Sequence, residues 1–158
     1  MRKPILYMLC GVPACGKTHF TEELCTRTNA TIGISRDDIR FKLLKDDEDY
    51  FAHETQVFVQ FYLNIRYELE QGFDVVADAT HINHYSRNKL LRELRSTDFD
   101  LIYVCFDTPF EVCLERNSKR EGRHKVPEET MDSMWCSYEE PTMQENERCI
   151  GVWHVKGV

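Results

Sequence analysis

No stretch of this 158-residue chain approaches the ~18 consecutive apolar residues that a membrane-spanning helix needs, and no secretory leader is recognisable. Met1-Arg2-Lys3 runs straight into an apolar segment that reads as core, so a membrane partner is not expected and a cytoplasmic protein is. Seven cysteines occur, at 10, 15, 25, 105, 113, 136 and 149, yet none forms a C-x-x-C pair or a zinc-finger spacing. That lack argues against a disulfide framework and predicts free thiols in a reducing compartment. Internal repeats, low-complexity tracts and linkers are also missing. One domain over 1–158 is expected, long enough to bury a real core, and no obligate protein partner is implied.

A positive overall charge is lacking too: the net charge is −7, which would seem to argue against a nucleic-acid partner. Its distribution weakens that argument. Asp46-Asp47-Glu48-Asp49 is one acidic block, and residues 128–147 hold seven acids with no lysine or arginine. Between them, Arg116 to Lys125 holds five basic residues and one acid. Such a chain is suited to holding the end of a nucleic acid and unsuited to coating a long one.

What is present centres on Gly11-Val12-Pro13-Ala14-Cys15-Gly16-Lys17-Thr18, which fits the P-loop pattern G-x-x-x-x-G-K-[ST] at every fixed position. The apolar run Pro4 to Cys10 before it reads as a strand buried on both faces. Lys17 to Thr28 after it reads as a helix, with Phe20 and Leu24 on one face. Strand, glycine loop and helix in that order aim backbone N–H groups and a positive helix end at an anion. Gly11 to Thr18 is thus expected to bind ATP, with Lys17 on the outer phosphates and Thr18 on Mg²⁺.

Further strands are expected at Thr31 to Ser35, Phe73 to Asp78, Leu101 to Phe106 and Ile150 to Val155. Helices are expected from Arg36 to about Leu44, capped by Ser35, and from about Tyr50 to Gln71, stopped by Gly72. Others run from Ser86 to Arg95, from Pro109 to about Lys119 behind a Thr108/Glu111 capping box, and from Pro127 onward. Strands alternating with helices imply an α/β fold, a parallel sheet covered on both faces, with ligands at the carboxyl ends of its strands.

That end gathers several candidates. Phosphoryl transfer to an alcohol usually needs a carboxylate to take the hydroxyl proton, and Asp37 and Asp38 follow the second strand. The alternative is that both only favour a helix N-terminus. Arg40, three residues after Asp37, shares its helical face. Asp78 ends a buried strand and is a candidate to order the substrate or hold a magnesium-bound water. His81 and His84 form an H-x-x-H without a third ligand, which makes His81 a candidate substrate contact more than a metal ligand. The basic run from Arg116, including Arg120, is placed to close over the triphosphate as a lid at about 117–126.

Together the P-loop, Ser35-Arg36-Asp37-Asp38-Ile39-Arg40, Asp78-Ala79-Thr80 and Arg116-Asn117-Ser118-Lys119-Arg120 resemble the kinase domain of bacteriophage-type 5′-hydroxyl polynucleotide kinases. Tyr138-Glu139-Glu140-Pro141-Thr142 is similar to a segment before the last strand in that group. The resemblance implies a three-layer P-loop kinase fold with strand order 2-3-1-4-5. It implies that Asp37 is the general base, that Arg40 holds an acceptor 3′-phosphate, that Arg120 reaches the donor phosphates and that Asp78 supports the acceptor side. Ala14-Cys15 departs from the Gly-Ser usual in this loop. The resulting expectation is an Mg-ATP-dependent kinase acting on the 5′-OH of a polynucleotide or nucleotide. Its rivals are a small-molecule or antibiotic phosphotransferase and a nucleotide-binding interaction module without transfer.

Overall fold

The computed structural model describes residues 2–156. Five parallel strands, β1 (Ile5–Cys10), β2 (Thr31–Ser35), β3 (Asp74–Asp78), β4 (Asp100–Phe106) and β5 (Cys149–Val155), form one sheet in the order β2-β3-β1-β4-β5. This is the expected P-loop kinase order. Alternation along β1 explains why its run is apolar throughout. Leu6, Met8 and Cys10 enter one core, while Tyr7 and Leu9 enter the other.

Helices cover both faces. α1 (Lys17–Arg27) lays Phe20 and Leu24 on the Tyr7–Leu9 side. α3 (Glu54–Glu70) and α4 (His84–Glu93) bring Phe61, Ile65, Leu69, Leu90 and Leu91 to the other. α2 (Arg36–Leu43) follows β2 directly, and α5 (Phe110–Ser118) and α6 (Glu128–Ser137) pack Cys113 and Met131 against Val12 and Cys15 of the P-loop. Among the described residues no helix is long and apolar enough to cross a membrane.

Local chemistry sets the element ends. The Ser35 side chain accepts from the Asp38 amide, as an N-cap does. Gly72, at φ 91°, ends α3, and the bonds Phe73 N–H to Glu68 and Gly72 N–H to Leu69 close a Schellman turn. Three expectations shift. α3 begins at Glu54 and not at Tyr50, because the Tyr50 hydroxyl is held by Asp37 and Arg40 across the chain. α4 begins earlier, at His84, because Asn83 and Ser86 form a reciprocal capping box. The Thr108/Glu111 box does not form: Thr108 Oγ1 donates to the Cys15 carbonyl at 2.8 Å and so braces the P-loop.

Candidate active site

The P-loop crosses from β1 to α1 with two residues in the left-handed region, Ala14 at φ 67° and Gly16 at φ 110°. Glycine adopts that region freely, whereas alanine carries strain of roughly 1–2 kcal/mol. Ala14 therefore takes the backbone shape of the glycine it replaces. A Cβ on Gly11 would lie 2.6 Å from Cys15 Sγ, so the first fixed glycine is required by close approach. Cys15 is buried, as expected for a packing residue.

Lys17 is buried, and its Nζ donates to the carbonyls of Gly11 (3.0 Å) and Val12 (2.8 Å). The Thr18 hydroxyl lies 3.5 Å from Asp78 Oδ2 at the end of β3. Burial raises the Asp78 pKa, opposed by Lys17 and reinforced by Asp37 and Asp38. A hydroxyl and a carboxylate this close are hard oxygen donors, and the pair fits Mg²⁺. The Gly11 amide donates to the Thr80 carbonyl at 2.8 Å, fastening the loop after β3 to the P-loop.

On the opposite wall, Asp37 projects from the first turn of α2 with 58% of its side chain exposed. Arg40 is buried and donates to Asp37, to the Tyr50 hydroxyl (2.8 Å) and to both oxygens of Glu54. Arg36 donates to the same Glu54 carboxylate at 2.6 Å. Burial works against the Arg40 charge, but the Glu54, Tyr50 and Asp37 partners leave its pKa raised. The Nε atoms of Arg36 and Arg40 are buried with no hydrogen-bond partner among the described residues.

The basic segment forms the roof. Asn117 bonds both backbone groups of Val126, at 2.6 and 3.0 Å, and so ties the two ends of the segment together. Arg116 reaches the Ala14 carbonyl at 3.3 Å. Arg120 is exposed and lies 3.5 Å from the His124 carbonyl. Arg123 donates to the carbonyls of Lys45 and Glu48, and His124 packs on Phe41 with centroids 4.5 Å apart. The enclosed cleft is about 1150 Å³, and Lys17, Thr18, Asp37, Arg40, Asp78, Arg116 and Arg120 all line it.

His81 does not join them. It is buried, its Nδ1 meets the Leu9 carbonyl at 2.7 Å, and burial lowers its pKa to about 3. The reading of His81 as a substrate contact is therefore corrected: the ring packs inward beside Phe61 as a neutral strut. His84 turns away toward Glu139 and Glu145. Tyr50 and Glu54 line the cleft without having been singled out from the sequence, whereas Arg123 belongs to the expected lid run. Tyr50 and Glu54 lie ten and fourteen residues from Arg40, a separation no local periodicity reveals.

Sheet order, P-loop and basic roof define a P-loop kinase fold, which implies nucleotide binding. The chain belongs to the AAA domain family AAA_33, whose model matches residues 6–141. Its structure is similar to a putative kinase from Chloroflexus aurantiacus (TM-score 0.77, 16% identity, covering 99% of this chain and 86% of that one). It is also similar to a chain of the Pnkp1/Rnl/Hen1 RNA repair complex (TM-score 0.76, 21% identity, 87% and 44% covered). A fungal RNA kinase is a third neighbour (TM-score 0.70, 12% identity, 99% and 39% covered). The chain thus spans less than half the length of these last two proteins. No curated protein sequence matches it.

Proposed function

We propose that residues 1–158 form a single kinase domain, with a lid at about 117–126, that transfers the γ-phosphoryl group of ATP to a hydroxyl. The first acceptor to test is the 5′-OH of a polynucleotide or nucleotide. The observation that carries this reading is one cleft in which Lys17, the Asp37–Arg40 pair, Asp78 and Arg120 meet. Gly11 to Thr18 hold the triphosphate, with Arg116 and Arg120 contributing from the lid. Thr18, backed by Asp78, holds Mg²⁺, which when bound neutralises phosphate charge. Asp37 takes the proton of the acceptor hydroxyl as the hydroxyl oxygen bonds to the γ-phosphorus; the bond from that phosphorus to the bridging oxygen breaks, and ADP leaves. Lys17 and Arg120 stabilise the charge on the group in transfer.

The guanidinium groups of Arg36 and Arg40, which both line the cleft, support an anionic acceptor such as a 3′-phosphorylated end. The Glu54 carboxylate on Arg40 favours the second reading, a small uncharged alcohol as acceptor. An acceptor screen with radiolabelled ATP tests both. Label on 5′-hydroxyl oligonucleotides supports the first reading, label on small alcohols alone supports the second, and ATP binding without transfer to any acceptor overturns both.

A further inference from the structure

Outside the cleft, a second cluster of chemically distinct side chains meets at the carboxyl ends of β4 and β5. The parallel register sets Cys105 directly opposite His154. Asp107, two residues beyond Cys105, continues on the same face of the extended chain, and its amide prolongs the ladder by donating to the Val155 carbonyl. The segment after α6 delivers Glu140, with the neighbouring Glu139 amide pinned to the Ile82 carbonyl at 2.7 Å. The donor atoms of Cys105, Glu140 and His154 all lie within 4.8 Å of one another. His154 Nδ1 is 3.2 Å from Asp107 Oδ1 and 3.8 Å from Glu140 Oε1. A cavity of about 300 Å³ opens between them and the P-loop, lined by Cys105, Asp107, Tyr138 and Glu140 and by Gly11 and Cys15.

We propose that Cys105, Glu140 and His154, with Asp107 bonded to the His154 ring, form a binding site for a zinc-class divalent ion, distinct from the cleft. A tetrahedral zinc ion takes sulfur at about 2.3 Å and nitrogen or oxygen at about 2.0–2.2 Å, so its ligands sit roughly 3–4 Å apart. The cluster needs only a small inward turn of His154 and Glu140, both half-exposed, toward Cys105 on the buried strand. One thiolate, one imidazole and one carboxylate match zinc and leave its fourth position open. They discriminate against Mg²⁺ and Ca²⁺, which take oxygen ligands. Binding exchanges the Cys105 S–H for an S–Zn bond and releases one proton to solvent, with no change of oxidation state. The ion would pin edge strand β5 and the 138–140 segment to β4. The ligands come from three separate segments, which is why no C-x-x-C spacing announces them.

The test uses the purified full chain, stripped with chelator and titrated with Co²⁺ as the spectroscopic stand-in, then with Zn²⁺ against a chromophoric chelator. One equivalent of Co²⁺ is expected to give the near-ultraviolet band of a thiolate–cobalt bond, and Zn²⁺ to displace it. Cys105→Ala should abolish that band, and His154→Ala and Glu140→Gln should each weaken zinc binding about tenfold or more. Cys136→Ser and the cleft variant Asp37→Asn should leave it unchanged. A wild-type chain with no thiolate band, or a band that survives in Cys105→Ala, overturns the site. Should Cys105→Ala fail to fold, the other two substitutions decide, being on half-exposed side chains: unchanged zinc affinity in both overturns it equally.

Discussion

Arg40 Nη2 donates to both carboxylate oxygens of Glu54, at 2.7 and 2.9 Å, while Nη1 of the same guanidinium serves Asp37 and Tyr50. The arginine is thereby fixed in orientation and sets the position of Asp37 beside it. Charge-assisted contacts of this kind are stronger than neutral ones, and their geometry is specific. Arg40→Ala should therefore act in two ways. Transfer to every acceptor should fall, because Asp37 loses its anchor. Acceptors bearing a 3′-phosphate should fall further, by about thirtyfold, the worth of roughly 2 kcal/mol for one lost charge-assisted contact. Steady-state kinetics on paired oligonucleotides, with and without the 3′-phosphate, measure the difference. Equal losses remove Arg40 from acceptor binding.

Asp37→Asn should cut kcat by about 10²–10⁴, the usual contribution of a general base, with ATP binding little changed. Asp38→Asn should be milder, since Asp38 lies on a different helical direction and contributes a favourable first-turn charge of up to ~1 kcal/mol. Single-turnover transfer to a short 5′-hydroxyl oligonucleotide compares them. A larger defect in Asp38→Asn would move the base by one residue.

Lys17→Ala should abolish transfer while leaving the fold intact. The ammonium group's bonds to Gly11 and Val12 are local to the loop, and neither core depends on them. Thermal unfolding and labelled-ATP turnover are measured together. A folded Lys17→Ala protein with full activity would end the P-loop reading.

Asp78 gives a stability test with a definite sign. Burial raises its pKa in the folded protein above the ordinary 3.8. The folded state therefore holds the Asp78 proton more tightly than the unfolded one, and the stability it contributes at low pH is lost as pH rises through the raised value. Asp78→Asn removes that penalty, so it should raise Tm at pH 7 and bring little or no gain below pH 3.8. Phosphoryl transfer should fall, with a higher Mg²⁺ requirement, because Thr18 loses its carboxylate neighbour. A neutral-pH Tm below wild type contradicts the assignment.

Arg120→Ala should lower kcat more than ATP affinity, because the exposed lid arginine is proposed to act on charge that develops during transfer. Nucleotide binding by calorimetry and kcat by labelled transfer separate the two. A pure affinity defect contradicts the role.

Much of this was readable where the chemistry is local. Gly11 to Thr18, the Ser35 cap and the Gly72 stop each depend on neighbours within a few residues, and the structure has all three. Asp37 and Arg40 were linked by a three-residue spacing. Contacts from distant segments were hidden. Thr108 read as a helix cap because its partner, the Cys15 carbonyl, lies 93 residues away. His81 read as a substrate contact, yet it turns inward to a strand carbonyl 72 residues earlier. In each case a local rule competed with a tertiary hydrogen bond, and the tertiary bond prevailed.

Arg87 shows what such a bond does to the order in which the molecule can be completed. It is fully buried on α4, and it holds the His81 carbonyl at 2.8 Å, the Glu139 carbonyl at 2.8 Å and the Glu145 carboxylate at 2.7 Å. An uncompensated buried guanidinium is costly, so the loop behind Asp78 cannot settle before residues 139–145 arrive. The P-loop waits on distant segments too: Thr108 braces the Cys15 carbonyl, and Cys113 and Met131 pack against Val12 and Cys15. A chain halted during synthesis before residue 145 would leave Arg87 without its carboxylate, so the domain is expected to fold as one unit once that residue has emerged.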